Sequence, residues 1–120
     1  MPISGRSASL AVVVTLLCGC ASGAPSAESV DRAECATYAR NLEHSGRMKD
    51  ACMIAKGHKV VYSTVQGWVE VQSRAQPRQT AEVVAGDLKG CNDATSLLGY
   101  EGRAQFAQCM DRRDYVVTAR

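Results

Sequence analysis

Residues 31–58 read Asp31-Arg-Ala-Glu-Cys35-Ala-Thr-Tyr38-Ala-Arg-Asn-Leu42-Glu-His-Ser-Gly46-Arg47-Met-Lys-Asp-Ala-Cys52-Met53-Ile-Ala-Lys56-Gly57-His58, and much of this stretch is written twice. Asp31, Cys35, Leu42, Gly46 and Arg47 recur at one constant offset as Asp87, Cys91, Leu98, Gly102 and Arg103. After a single inserted residue, Cys52, Met53 and Lys56 recur as Cys109, Met110 and Arg113, Val60 recurs as Val117, and His58 falls opposite Tyr115. Five ungapped identities that include a cysteine, followed by a second cysteine, point to an internal duplication. A solenoid needs about three repeats, so two copies predict one pseudo-symmetric domain.

Each copy has the pattern of a helical hairpin. Cys35, Tyr38, Ala39 and Leu42 follow one another at helical steps of three and four, with Ser26 or Ser29 as caps and Glu28 in the first turn. Gly46 breaks the chain, and Ser45 is expected to cap a second helix that turns Met48, Ala51, Cys52 and Ala55 to one side and ends at Gly57. In the second copy Thr80 caps a helix with Ala81, Val84, Ala85, Leu88 and Cys91 on its apolar face. Gly86 and Gly90 weaken that helix, which suggests that another backbone packs closely there. Phe106, Cys109, Met110 and Arg113 mark a fourth helix. Lys59–Val65 and Tyr115–Thr118 are rich in β-branched residues and read as extended. Between the copies, Gln66-Gly67 reads as a hairpin turn ahead of Trp68–Val71. The expected fold is mainly α: two duplicated, disulfide-stapled helical hairpins with short extended segments, as one domain over 28–120 with repeats at about 28–65 and 80–120.

The N-terminus supplies the address. Arg6 precedes an apolar run from Ala8 to Leu17, half of the roughly 20 residues a membrane-spanning helix needs. A basic start, a short apolar core and small residues after it form an export signal. Leu17-Cys18-Gly19-Cys20 resembles the lipobox of bacterial lipoproteins: an aliphatic residue, a variable one, a small one, then cysteine. The resemblance implies that residues 1–19 are removed and that Cys20 carries the lipid, with residues 20–27 as a tether. Cys18 departs from the usual Ala, Ser or Thr but is similar in size. Two or three acyl chains make a stable anchor where a single one binds marginally. In that family Asp after the cysteine favours inner-membrane retention. Ala21 stands here, so the resemblance implies the outer membrane of a Gram-negative cell, facing the periplasm.

Of six cysteines, four remain in the domain: Cys35, Cys52, Cys91 and Cys109. An even number in an exported domain predicts disulfides, and a domain with one Trp and one Phe needs such staples. Three pairings are open. A hairpin sets residues equidistant from its turn side by side, which favours Cys35–Cys52 and Cys91–Cys109. Cys52-Met53-Ile-Ala-Lys56-Gly57-His58 is also similar to a C-M-x-x-[KR]-G-[aromatic or His] signature of small proteobacterial envelope proteins. That resemblance implies an exported, disulfide-bearing helical domain and carries no activity. The second copy departs from it at Asp114, where Gly is expected.

The remaining residues offer little chemistry. There is no C-x-x-C, H-E-x-x-H or G-x-S-x-G, and Gly86-x-x-x-Gly90 lacks the Lys-Ser/Thr of a phosphate loop. His44 and His58 are expected at the surface, and Asp31 and Asp87 at helix caps or in solvent. No catalytic residue, metal ligand or cofactor is expected. Fourteen basic and twelve acidic residues nearly balance, which points away from nucleic acid. No small-molecule substrate is evident. The expectation is a non-enzymatic envelope lipoprotein that meets the membrane through its lipid and binds another envelope protein. A pilotin-like secretion factor and a periplasmic inhibitor or immunity protein are the alternatives. Trp68 and Tyr62, close to the join between the copies, are the candidate partner contact.

Overall fold

The computed structural model describes residues 25–99 and 102–120; the expected export signal, Cys20 and the expected tether up to residue 24 lie outside them. Among the described residues, four helices and three strands follow in the order α1 (Ala27–Ala39), α2 (Ser45–Ala55), β1 (Val60–Thr64), β2 (Gly67–Ser73), α3 (Ala81–Thr95), α4 (Gly102–Asp111) and β3 (Tyr115–Ala119). No described helix is long and apolar enough to cross a membrane.

Local chemistry explains most of these boundaries. The Ser26 hydroxyl accepts from the Ser29 amide at 3.1 Å, and the Thr80 hydroxyl from the Val83 amide at 3.2 Å, so both caps stand where their residue types place them. The start of α2 differs from expectation. Ser45 is already helical, and the cap position falls to His44, held in the left-handed region at φ 56° with no side-chain bond. At the ends of α2 and α4 the two matching positions have the same backbone turn although their side chains differ. Gly57 turns the first copy at φ 98°, and Asp114 makes the equivalent turn at φ 72°. Aspartate is among the few residues that enter this region without prohibitive strain.

The two disulfides are Cys35–Cys52, with Cα atoms 5.5 Å apart, and Cys91–Cys109, at 5.7 Å. Each hairpin is stapled to itself, the pairing expected of two helical hairpins.

The extended segments require a correction to the mainly α expectation. About half of the described chain is helical, and the strands join into one antiparallel sheet in the order β1-β2-β3. Val60 pairs with Val71 on one side of β2, and its repeat counterpart Val117 pairs with the same Val71 on the other. The segment between the copies thus serves as the shared partner that each copy's strand lacks. The sheet turns one face to the helices. Tyr62, Val69, Val71 and Tyr115 lie in one buried cluster with Ile54, Val84, Leu88, Phe106 and Met110. This two-layer arrangement removes about one face of each strand from water, which is what their alternating pattern demands.

The β1–β2 turn sits one residue earlier than expected. Thr64 faces Gly67, so Val65 and Gln66 form the turn. The Thr64 hydroxyl donates to the Gly67 carbonyl at 2.7 Å and accepts from the Gln66 amide at 3.1 Å. That register sends Val69 and Val71 inward and Trp68 outward. Gly86 and Gly90 also depart from the expectation of close backbone packing. A Cβ at Gly86 meets nothing, and one at Gly90 meets only the Arg113 guanidinium at 3.6 Å.

Candidate functional site

The repeated polar positions converge into two similar clusters, one per hairpin. In the first, the Asp31 carboxylate of α1 lies 2.7 Å from His58 Nε2, just ahead of β1. Lys56 Nζ stands 3.8 Å from the other Asp31 oxygen and 3.0 Å from Glu34. Arg78 donates to the Lys56 carbonyl at 2.6 Å. In the second, the Tyr115 hydroxyl donates to Asp87 at 2.7 Å, and Arg113 reaches the other Asp87 oxygen at 3.0 Å. Asp31 and Asp87 were expected as caps or solvent-facing residues. They instead bind the first helix of each hairpin to the chain entering its strand. His58, expected at the surface, is only partly exposed.

Electrostatics separate the clusters. The His58 hydrogen bond, helped by the charges of Lys56 and Arg78, holds the Asp31 carboxyl below its ordinary 3.8 against a smaller opposing effect of burial. Burial pushes the Tyr115 phenol well above its ordinary 10.0, and the Asp87 hydrogen bond pushes it further. A carboxylate–imidazole pair is the orienting half of a nucleophilic triad. The repeat favours another job. The same position holds a buried phenol in place of the imidazole in the second copy, so what both copies share is a tie between elements.

A second feature lies on the sheet face turned away from the helices. Trp68 is 57% exposed there, with Val61 and Val116 also exposed. Val61, Trp68 and Arg120 line one shallow recess. Arg120 also stands 3.7 Å from Glu70 on this face. Tyr62 does not join Trp68. It is buried on the opposite face, its ring stacked on Phe106 at 6.2 Å, because alternation along β1 places it inward. The proposed Trp68–Tyr62 surface therefore reduces to Trp68 with Val61 and Arg120. The sequence carried a signal for this, since Trp68 breaks an inward pattern completed by Val69 and Val71.

A third surface is the apolar tip between α3 and α4, where Leu97 is 96% exposed and Leu98 about half as much. Among the described residues no three or more His, Cys, Asp or Glu side chains gather as a metal site requires. Cys20, the lipid-bearing candidate, lies outside the described residues.

Compared with protein families, with curated proteins and with solved structures, the chain matches none.

Proposed function

We propose that the chain is an exported lipoprotein, anchored through Cys20 to the outer membrane on its periplasmic side, whose domain works by binding another envelope protein rather than by catalysis. The observation that carries this reading is the division of its cysteines. One stands at the end of a lipobox-like Leu17–Cys20, and all four in the domain are joined as disulfides. Stable disulfides form in oxidising compartments, which is where an export signal delivers a chain. The open sheet face around Trp68 supports a binding role. An exposed tryptophan beside aliphatic side chains and an arginine has the composition of a contact centre.

The anchor is tested by mass spectrometry of the protein from envelope fractions. The expected mature chain starts at Cys20 and carries acyl chains; an unmodified Cys20, or a start elsewhere, refutes the anchor. Recovery with inner-membrane markers on a density gradient refutes the sorting. Binding is tested by proximity labelling with wild type and Trp68→Ala. The substitution should remove partners while leaving the melting temperature nearly unchanged, because the side chain lies outside the core.

A further inference from the structure

The outer edge of β3 carries a groove that the fold leaves open. In an antiparallel ladder, residues that exchange hydrogen bonds alternate with residues whose backbone groups point the other way. The Arg120 amide donates to the Trp68 carbonyl, and the Arg74 amide to the Asp114 carbonyl. With Val71 opposite Val117, the even-numbered residues of β3 therefore face β2. The N–H and C=O groups of Val117 and Ala119 point to the side where, among the described residues, no further strand lies. Two recesses of about 410 and 430 Å³ run along this side between β3 and α4, joined at Ala107 and Val117. Ala104 and Ala107, one turn apart on α4, are too short to fill the space. The ends of the groove are basic. Arg103 stands at one, with its guanidinium on the Arg120 carbonyl, and Arg112 at the other. The nearby Asp111 is already engaged by Arg74 at 2.9 Å.

We infer that this groove takes an extended segment of a partner protein as a fourth strand beside β3, with small apolar side chains at alternate positions turned inward and acidic residues at its ends. Backbone groups supply the pairing in such strand addition, and the alternate side chains supply selectivity. The arginine at each end sets the charge of the segment. An edge without lysine or proline, as in Tyr115–Ala119, lacks the usual guards against strand pairing. The inference rests on reading the domain as a binding protein, and it adds a surface distinct from the Trp68 face.

The test titrates two hexapeptides, Glu-Val-Thr-Val-Thr-Glu and its lysine-ended counterpart, into the mature chain in detergent. Amide hydrogen exchange and the fluorescence of the single tryptophan are followed. The glutamate-ended peptide should bind more tightly than the lysine-ended one. It should slow exchange at Val117 and Ala119 and leave Trp68 emission unchanged. Val117→Pro deletes an outward N–H without touching the β2 ladder, a placement an edge strand tolerates. It should weaken binding at least about tenfold, the equivalent of 1.4 kcal/mol. Ala107→Leu fills the groove from the helix side and should do the same; it decides the matter if Val117→Pro unfolds the chain. Equal binding by wild type and Ala107→Leu, protection at β1 in place of β3, or no binding of either peptide at millimolar concentration overturns the groove. Proximity labelling in the envelope reads the binding function separately. Partners retained by Ala107→Leu leave that function standing and count against the groove.

Discussion

The two hairpins share a staple, a carboxylate tie and a left-handed exit turn, yet they are embedded differently. The first closes over a small satellite cluster of Cys35, Cys52 and Met53. The second places Cys91, Phe106, Met110 and Tyr115 in the main core. Its tie is a buried phenol, whereas the first tie is a partly exposed imidazole beside Lys56 and Glu34. The two copies of the repeated pattern share the geometry of their joints, while the chemistry of each follows local burial. The same cross-link should therefore stabilise each copy to a different extent.

The largest effect tests that difference. The bridges span 17 and 18 residues, so loop-closure entropy assigns each about 3 kcal/mol. Replacing Cys91 and Cys109 by Ala should cost more than this, because Cys91 packs in the larger of the two buried clusters. Replacing Cys35 and Cys52 should stay nearer the entropic value. Thermal denaturation of the two double variants measures the gap, and equal losses would show that the cores are equally important.

The ties come next. Tyr115→Phe removes a hydrogen bond to a charged partner and should cost roughly 1.5–3 kcal/mol in denaturant unfolding. His58→Ala should cost less, since its side chain shares the solvent. The pH responses should diverge as well. The lowered carboxyl of Asp31 supports the first copy above its ordinary 3.8, and that support is lost as pH falls through its folded value. The raised phenol of Tyr115 supports the second copy below its ordinary 10.0, and that support is lost as pH rises through its folded value. Amide exchange resolved by residue should show the first hairpin loosening in acid and the second in alkali.

The smallest effect concerns one repeated glycine. A Cβ at Gly46 meets nothing within 4 Å, whereas one at Gly102 comes 2.5 Å from Gln66 Cδ. Gln66 is fixed by its amide, which donates to the Thr95 carbonyl at 2.6 Å. Gly46→Ala should raise stability by up to about 1 kcal/mol through helix propensity. Gly102→Ala should lower it. Paired melting curves give the signs.

Much of this was legible in the chain. Spacing alone located the four helices, two of three caps and both bridges, because these depend on neighbours within one hairpin. The sheet was visible only as extended segments, since the pairing of Val60 and Val117 with one shared valine joins residues far apart in sequence. The repeat put His58 opposite Tyr115, but periodicity does not say which side chain a carboxylate will meet. From sequence, Asp31 and Asp87 therefore read only as helix caps or solvent-facing residues. Trp68 stood out by type, whereas Tyr62 was misplaced because its burial depends on a register fixed by the Val65–Gln66 turn. The groove beside β3 had no sequence signal beyond the small size of Ala104 and Ala107.

The central strand belongs to neither copy, and this orders the assembly of the molecule in time. Each hairpin contains its own cross-link and turn, so it can form from contacts close in sequence. The β1–β2 pair can follow at once through its two-residue turn. The β2–β3 pair has to wait, because about forty residues separate Ser73 from Tyr115, and such distant pairings form slowly. In a chain that emerges N-terminus first, Gly67–Ser73 stands with one bare side until Tyr115–Ala119 arrives. Intermediates with an unpaired strand edge are prone to association. Pairing of Tyr115–Ala119 with β2 therefore closes the vulnerable phase of folding, and deleting this strand should show first as aggregation during refolding and only then as lost stability.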